Sequence, residues 1–227
     1  MEQTRPLPAQ RVLVAGATGL VGRDIVQALL DDPNVAEVHT LGRRPPAQTH
    51  AKLQHHASDL RQIPALAALA PLDTAYIALG TTIKVAGSQQ AFRAVDHDAV
   101  LAVARAARAA GARRLGLVSA MGADPHSRLF YSRVKGEAED AVAALGFETL
   151  VFARPSLLVG DRAAMQQPQR RGETIGALLS AALRPLIPAN YRAIQARDVA
   201  HALVAAVARG APGRQLLLSG QMQGGRG

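Results

Sequence analysis

The sequence predicts an α/β protein: a single doubly wound parallel-sheet domain with a small C-terminal substrate-pocket segment. Three observations predict it. Apolar strand signals alternate with helical ones along the whole chain, as parallel strands joined by crossover helices require. The first strand, ending Val12-Leu13-Val14-Ala15, runs straight into glycines at three-residue spacing, Gly16, Gly19 and Gly22, and a helical pattern follows to Leu30. Finally, Gly16, Arg43, Asp59, Gly80, Ser119 and Pro155 stand at the ends of successive strands. In an open parallel sheet those ends share one edge, and ligands collect there.

Strand one is read at Arg11 to Ala15, and its helix closes at Asp31-Asp32-Pro33 because proline forbids continuation. Strand two spans about Glu37 to Leu41, and a short strand three Leu53 to His56, before Ser58-Asp59-Leu60. A helix around Ile63 to Ala70 stops at Pro71, and strand four, Thr74 to Leu79, leads into Gly80-Thr81-Thr82. An alanine-rich helix from about Ala91 to Ala110 ends at Gly111, a residue suited to a helix stop. Strand five, Arg114 to Ser119, precedes a helix from about Phe130 to Leu145 capped by Gly146. Strand six, Glu148 to Ala153, enters Arg154-Pro155. Residues 160–191 are the least regular part, with an apolar helical stretch from about Ile175 to Leu183, and are assigned to the substrate pocket. A helix from Ala196 to Arg209 and a strand from Gln215 to Ser219 close the domain, which covers 11–219. Residues 1–10 and the glycine-rich 220–227 are expected to be flexible tails.

Composition narrows the function. There are no cysteines, so disulfides, thiolate metal sites and cysteine nucleophiles are excluded, and the expectation is a cytoplasmic protein. No apolar run reaches the about 18 residues that span a bilayer, and no membrane partner is expected. The net charge is +9, but the arginines are scattered and aromatic residues make up only 3% of the chain. A base-stacking platform needs more, so no specific nucleic-acid partner is expected; the surplus suits an anionic ligand. His55-His56, at the end of a strand, is read as structural or surface, and no metal site is assigned.

The glycine turn has the chemistry of a dinucleotide site. Gly16 permits the tight turn off the strand, Gly19 lets the backbone approach a pyrophosphate, and Gly22 lets the helix pack on the strand. Thr18, Leu20 and Val21 lie between them, where unpaired N–H groups and the helix dipole favour an anion. NAD sites place an acid at the end of strand two. Here that end reads Gly42-Arg43-Arg44, and guanidinium groups match a phosphate with a charge-assisted fork. NADP(H) is therefore expected, the alternative being a solvated basic loop. Asp59 and Leu60 are assigned to the adenine, with a helix N-cap as the alternative for Asp59. Leu79, Gly80 and Thr81 are assigned to the passage of the ribose and diphosphate.

Tyr131 and Lys135 stand four residues apart on one face of a predicted helix. A cation beside a phenol favours the phenolate, so the pair can exchange a proton. Ser119, at the end of strand five, can hydrogen-bond a substrate carbonyl. Together with GATGLVG at 16–22, LGTT at 79–82, LVSAMGAD at 117–124, FYSRVKGEAE at 130–139 and ARPSLLVGDR at 153–162, these residues resemble the short-chain dehydrogenases/reductases of the extended or atypical kind. These have Rossmann folds and include epimerase/dehydratase-like proteins; the chain is most similar to the branch that includes the Tat-interacting protein oxidoreductases. The resemblance implies Ser119 as the carbonyl-binding serine, Tyr131 as the acid/base and Lys135 as the lysine on the nicotinamide ribose. It implies Pro155 as the residue that helps place the nicotinamide. Where many relatives carry an asparagine after strand four, this chain reads Val95-Asp96-His97. The implied activity is hydride transfer between NADP(H) and a small carbonyl or alcohol. An NADP(H)-binding sensor or scaffold without turnover is the alternative, and a homodimer is an available assembly.

Overall fold

The computed structural model describes residues 9–60, 63, 66, 71–159 and 188–223. The calls for a helix around Ile63 to Ala70 and a helical stretch around Ile175 to Leu183 lie outside these residues for the most part. So do most of the pocket segment 160–191 and both ends of the chain.

Seven strands form one sheet: β1 (Gln10–Ala15), β2 (Val35–Gly42), β3 (Leu53–Ala57), β4 (Thr74–Ile77), β5 (Arg114–Val118), β6 (Thr149–Arg154) and β9 (Gly213–Leu218). Their order is β3-β2-β1-β4-β5-β6-β9, and every neighbouring pair is parallel. This is the doubly wound fold expected. The order reverses between β1 and β4, and a crevice opens at the carboxyl ends of those two strands. Two further strands, β7 (Leu158–Val159) and β8 (Ile194–Gln195), pair with each other and had no counterpart in the sequence reading.

Alternation along the strands builds two cores. Val12 and Val14 of β1 face helix α1 (Leu20–Asp31) and helix α6 (Ala196–Arg209), where Ile25, Val26, Val199 and Leu203 are buried. Leu13 and Ala15 face the opposite layer. That layer holds Val103 and Ala107 of α4 (Val100–Ala109), Val142 of α5 (Phe130–Ala143) and Phe152 of β6. Each valine, leucine, isoleucine or phenylalanine among them contributes about 1.5–3 kcal/mol when fully buried. Close approach of α6 to the sheet is helped by Gly116, where a Cβ would fall 3.1 Å from the Leu203 and Val207 side chains of that helix.

Three further features depart from the sequence reading. The alanine-rich helix is not continuous: α3 (Gln89–Arg93) passes through a π-turn at Ala94–Ala99 before α4 begins. A short helix, α2 (Ile83–Ala86), follows β4, capped by Thr82, whose hydroxyl accepts from Val85 N–H at 3.2 Å. Part of the expected tail is helical, as α7 (Ser219–Met222). Met222 is 2% exposed and the Gly220 N–H donates to Asn190 Oδ1, so packing holds what glycine content suggested would be loose.

Candidate active site

The glycine turn has the geometry its spacing predicts. Gly16 takes φ +88°, and a Cβ there would fall 2.5 Å from the carbonyl oxygen of Ala78, just past β4. A Cβ on Gly22 would fall 2.0 Å from the Gly16 carbonyl oxygen, which fixes how closely α1 sits on its strand. Gly19 caps α1 without a side-chain bond, and the first N–H bonded within the helix is that of Arg23, to Gly19 O at 3.1 Å. The N–H groups of Leu20, Val21 and Gly22 are therefore left for an acceptor outside the helix. Thr18 is exposed beside them, whereas the Val21 side chain is buried in the core, so that residue offers only its backbone.

Arg43 and Arg44 follow β2 on the same edge, exposed, and line an open cavity of about 420 Å³. Neither makes a hydrogen bond or ion pair with a described residue. Asp59 is exposed after β3. Leu60 next to it takes φ +65°, a left-handed conformation costly for a leucine, of order 1–3 kcal/mol. Its N–H donates to Ser58 Oγ at 3.1 Å, and its side chain packs partly on the core that holds Leu41. Leu60 is thus partly committed to the fold.

At the end of β4, Leu79 packs on the core and Gly80 passes over a buried ion pair. Asp96, carried by the π-turn and 1% exposed, places Oδ1 2.7 Å from Lys135 Nζ. Its Oδ2 accepts from the Thr81 N–H at 2.9 Å. The Oδ1–Nζ contact is an ionic one without hydrogen-bond alignment. A Cβ on Gly80 would lie 3.5 Å from Asp96 Oδ1 and 3.7 Å from Lys135 Nζ, so the backbone approaches the pair closely. π-turns recur at functional sites; this one aims Asp96 at Lys135.

Ser119 follows β5 and is 7% exposed, and its hydroxyl has no hydrogen-bond partner among the described residues. A buried hydroxyl costs free energy unless something bonds it, so this one is open to a partner at the sheet edge. Pro155 is buried just after β6, with its carbonyl accepting from the Met121 N–H at 3.0 Å. Tyr131, in the first turn of α5, packs its ring 5.5 Å from that of Phe92. The Tyr131 hydroxyl is pushed above its ordinary pKa, chiefly by burial; Lys135 opposes this and Asp96 adds to it. Lys135 acts in the expected direction, but burial of the phenol outweighs its pull.

Helix α5 is held in place by features that carried no weight in the sequence reading. Gly136 lies against the loop after β5: a Cβ there would fall 2.2 Å from Pro125 N. Glu139, 0% exposed, receives Arg154 in a two-point fork at 2.9 and 2.7 Å, and Arg214 of β9 at 3.0 Å. An isolated glycine inside a helical pattern was the available signal for Gly136. The Gly136→Ala variant should push α5 off that loop, lowering thermal stability and activity together. A variant with wild-type unfolding and turnover would contradict this packing.

The histidines stand apart from the site. A third one does lie beside the pair: His39 Nδ1 is 3.1 Å from His56 Nε2, and His39 Nε2 is 3.0 Å from Glu37. Burial holds the His39 and His56 imidazoles below their ordinary pKa. These contacts form a ladder between β2 and β3, and no metal-binding group of His, Asp or Glu occurs among the described residues.

A parallel sheet with a glycine turn at its switch point, and a serine, tyrosine and lysine gathered on the same edge, defines an NAD(P)-binding Rossmann protein of the short-chain dehydrogenase/reductase type. Residues 12–218 match the model of the NAD dependent epimerase/dehydratase family, and the chain belongs to that family. Among curated proteins, it is 36% identical over 179 residues to protein fmp52, mitochondrial, of Emericella nidulans, covering 76% of this chain and 75% of that one. It is 43% identical over 158 residues to the protein of the same name from Aspergillus clavatus, covering 66% and 68%. These names overturn the expectation of a cytoplasmic protein. Lack of cysteine fits any reducing compartment and cannot choose among them. Among solved structures, the fold is shared with MoeE5 in complex with UDP-glucose and NAD (TM-score 0.69, 19% identity, covering 91% of this chain and 75% of that one). It is also shared with a short chain dehydrogenase family protein from Francisella tularensis (TM-score 0.68, 14% identity, covering 95% and 99%). The family makes this an NAD(P)-dependent protein of oxidoreductase type.

Proposed function

We propose that the protein is an NADP(H)-dependent oxidoreductase acting on a small, largely apolar carbonyl or the corresponding alcohol, with Tyr131 as acid/base. The observation that carries the reading is the buried hydroxyl of Ser119, without a partner among the described residues, on the edge that also holds Tyr131, Lys135 and the glycine turn. The N–H groups after Gly19 would hold the diphosphate, Gly80 and Thr81 would border its path, and Lys135 and Pro155 would hold the nicotinamide end. When bound, that cofactor supplies or accepts the hydride. Ser119 Oγ donates to the carbonyl oxygen, and Tyr131 Oη gives that oxygen a proton or takes one from the alcohol. Exposed apolar side chains, among them Ile83, Val85, Leu129 and Leu157, lie on segments that follow β4, β5 and β6. They favour an apolar substrate over a nucleotide sugar.

The choice of NADP(H) rests on Arg43 and Arg44, two uncommitted guanidinium groups where an NAD site carries an acid. Calorimetric titration with NADPH, NADP⁺ and NADH in parallel tests it. NADPH should bind well ahead of NADH. The Arg43→Ala variant should weaken NADPH about 10- to 100-fold, as for a lost charge-assisted hydrogen bond, and leave NADH nearly unchanged. Equal loss for both would remove the 2′-phosphate assignment. A carbonyl screen with NADPH then tests turnover, and binding with NADPH favoured far over NADP⁺ but no turnover of any carbonyl would mark a sensor instead.

A further inference from the structure

We infer that Asp96 is a positioning residue that holds the Lys135 ammonium and offsets its charge, so that Tyr131 stays available as a proton donor for carbonyl reduction over a wider pH range. The inference rests on the acid/base role proposed for Tyr131. Its basis is geometric. Asp96 and Lys135 are buried together, 2.7 Å apart, under the backbone of Gly80. The second Asp96 oxygen is pinned by the Thr81 N–H, so the carboxylate cannot swing away without leaving that donor unpaired. A neutral side chain at this place would accept from Thr81 just as well but would leave Lys135 its full charge. The aspartate therefore adds an electrostatic effect that the hydrogen bond alone does not require.

The charged surroundings of Tyr131 allow that effect to be isolated. Helix α5 contributes Lys135, and the π-turn contributes Asp96; these two are the charges that act on the phenol. Its ring neighbour from α3 is the apolar Phe92, while Arg93 on the same helix is paired with Glu137. His97, next to Asp96, is engaged by Asp98 at 2.7 Å. The segment after β5 contributes the uncharged Ser119. An ammonium within about 4–6 Å lowers a neighbouring acid by about 1–3 pH units, and a carboxylate acts in the opposite sense. A carboxylate paired with the ammonium offsets part of this pull. The proton then remains on Tyr131 Oη until it passes to the substrate oxygen, and solvent replaces it afterwards.

The test is an ultraviolet difference titration of the phenol in the full-length protein without ligand. The chain has three tyrosines, and subtracting the Tyr131→Phe spectrum isolates the one of interest. The Asp96→Asn variant should move the Tyr131 midpoint down by about one pH unit, and Lys135→Met should move it up. The double variant Asp96→Asn/Lys135→Met, which replaces the buried ion pair with neutral groups, should titrate below Lys135→Met alone. That comparison serves even if Asp96→Asn by itself does not fold. A midpoint that is unchanged or higher on loss of the Asp96 charge, in either background, overturns the inference. The titration does not depend on turnover. A downward shift in a protein that reduces no carbonyl would uphold the charge role of Asp96 while removing the reductase reading. Where turnover is found, the alkaline limb of the reduction profile should fall by the same interval in Asp96→Asn, which a merely structural role would not produce.

Discussion

Tyr131→Phe should reduce carbonyl turnover by about 10²- to 10⁴-fold, the range general acid catalysis supplies, while dinucleotide affinity stays near the wild-type value. The variant removes one oxygen and keeps the ring that packs on Phe92. The residue as a whole is 39% exposed, so losing one oxygen opens no cavity in the core. Folding should therefore be nearly unaffected, and the loss falls on kcat. Steady-state kinetics beside calorimetric titration checks this. Full turnover in the phenylalanine variant would move the acid/base role to another group. Lost dinucleotide binding would mean that the phenol holds the cofactor rather than the proton.

Gly22→Ala should be among the most damaging single changes in the first half of the chain. The added Cβ would meet the Gly16 carbonyl oxygen at 2.0 Å, and that oxygen belongs to the turn itself. Only movement of α1 away from β1 relieves the clash. Overpacking of this kind costs about 1–3 kcal/mol, and each kcal/mol lowers the melting temperature of a domain this size by about 2–4 °C. The same movement shifts the free N–H groups of Leu20, Val21 and Gly22, so dinucleotide affinity should fall with stability. Gly19→Ala supplies the contrast. Its Cβ would lie 3.3 Å from the same oxygen, which small adjustments can relieve. That variant should melt near the wild type yet bind the dinucleotide more weakly, because the methyl group stands where the phosphates approach. Unchanged melting in Gly22→Ala would mean that α1 does not rest on its strand as closely as described.

These two positions also show what kind of information the sequence displays openly. The glycine turn was legible because each glycine answers a local demand, a positive φ or a close contact a few residues away. The sheet and its edge were legible because alternation and chain order determine them together. Asp96 was visible only as a departure from an expected asparagine. Its partner Lys135 is distant in sequence, and the π-turn that aims it changes the helical register without any proline or glycine to announce it. Glu139 reads as one more charged helical residue until Arg154 and Arg214 close on it. His39 sits in β2 and His56 in β3, and only strand register makes them neighbours. The helical end at Ser219–Met222 was hidden by glycine-rich composition, and its stability comes from long-range bonds to residues 189–192.

Those long-range bonds have an evolutionary consequence. The chain departs from the sheet after β6 and comes back before α6, and both stems of the excursion are clasped. Leu158 pairs with Ile194, Ser156 Oγ donates to the Arg192 carbonyl, and Ser219 Oγ lies 3.0 Å from Ser156 Oγ. Each of these contacts is made by residues outside 160–187. Insertions, deletions and wholesale replacement between the stems should therefore accumulate at little cost to the sheet, and a lineage can rewrite that stretch without rebuilding the scaffold that carries it.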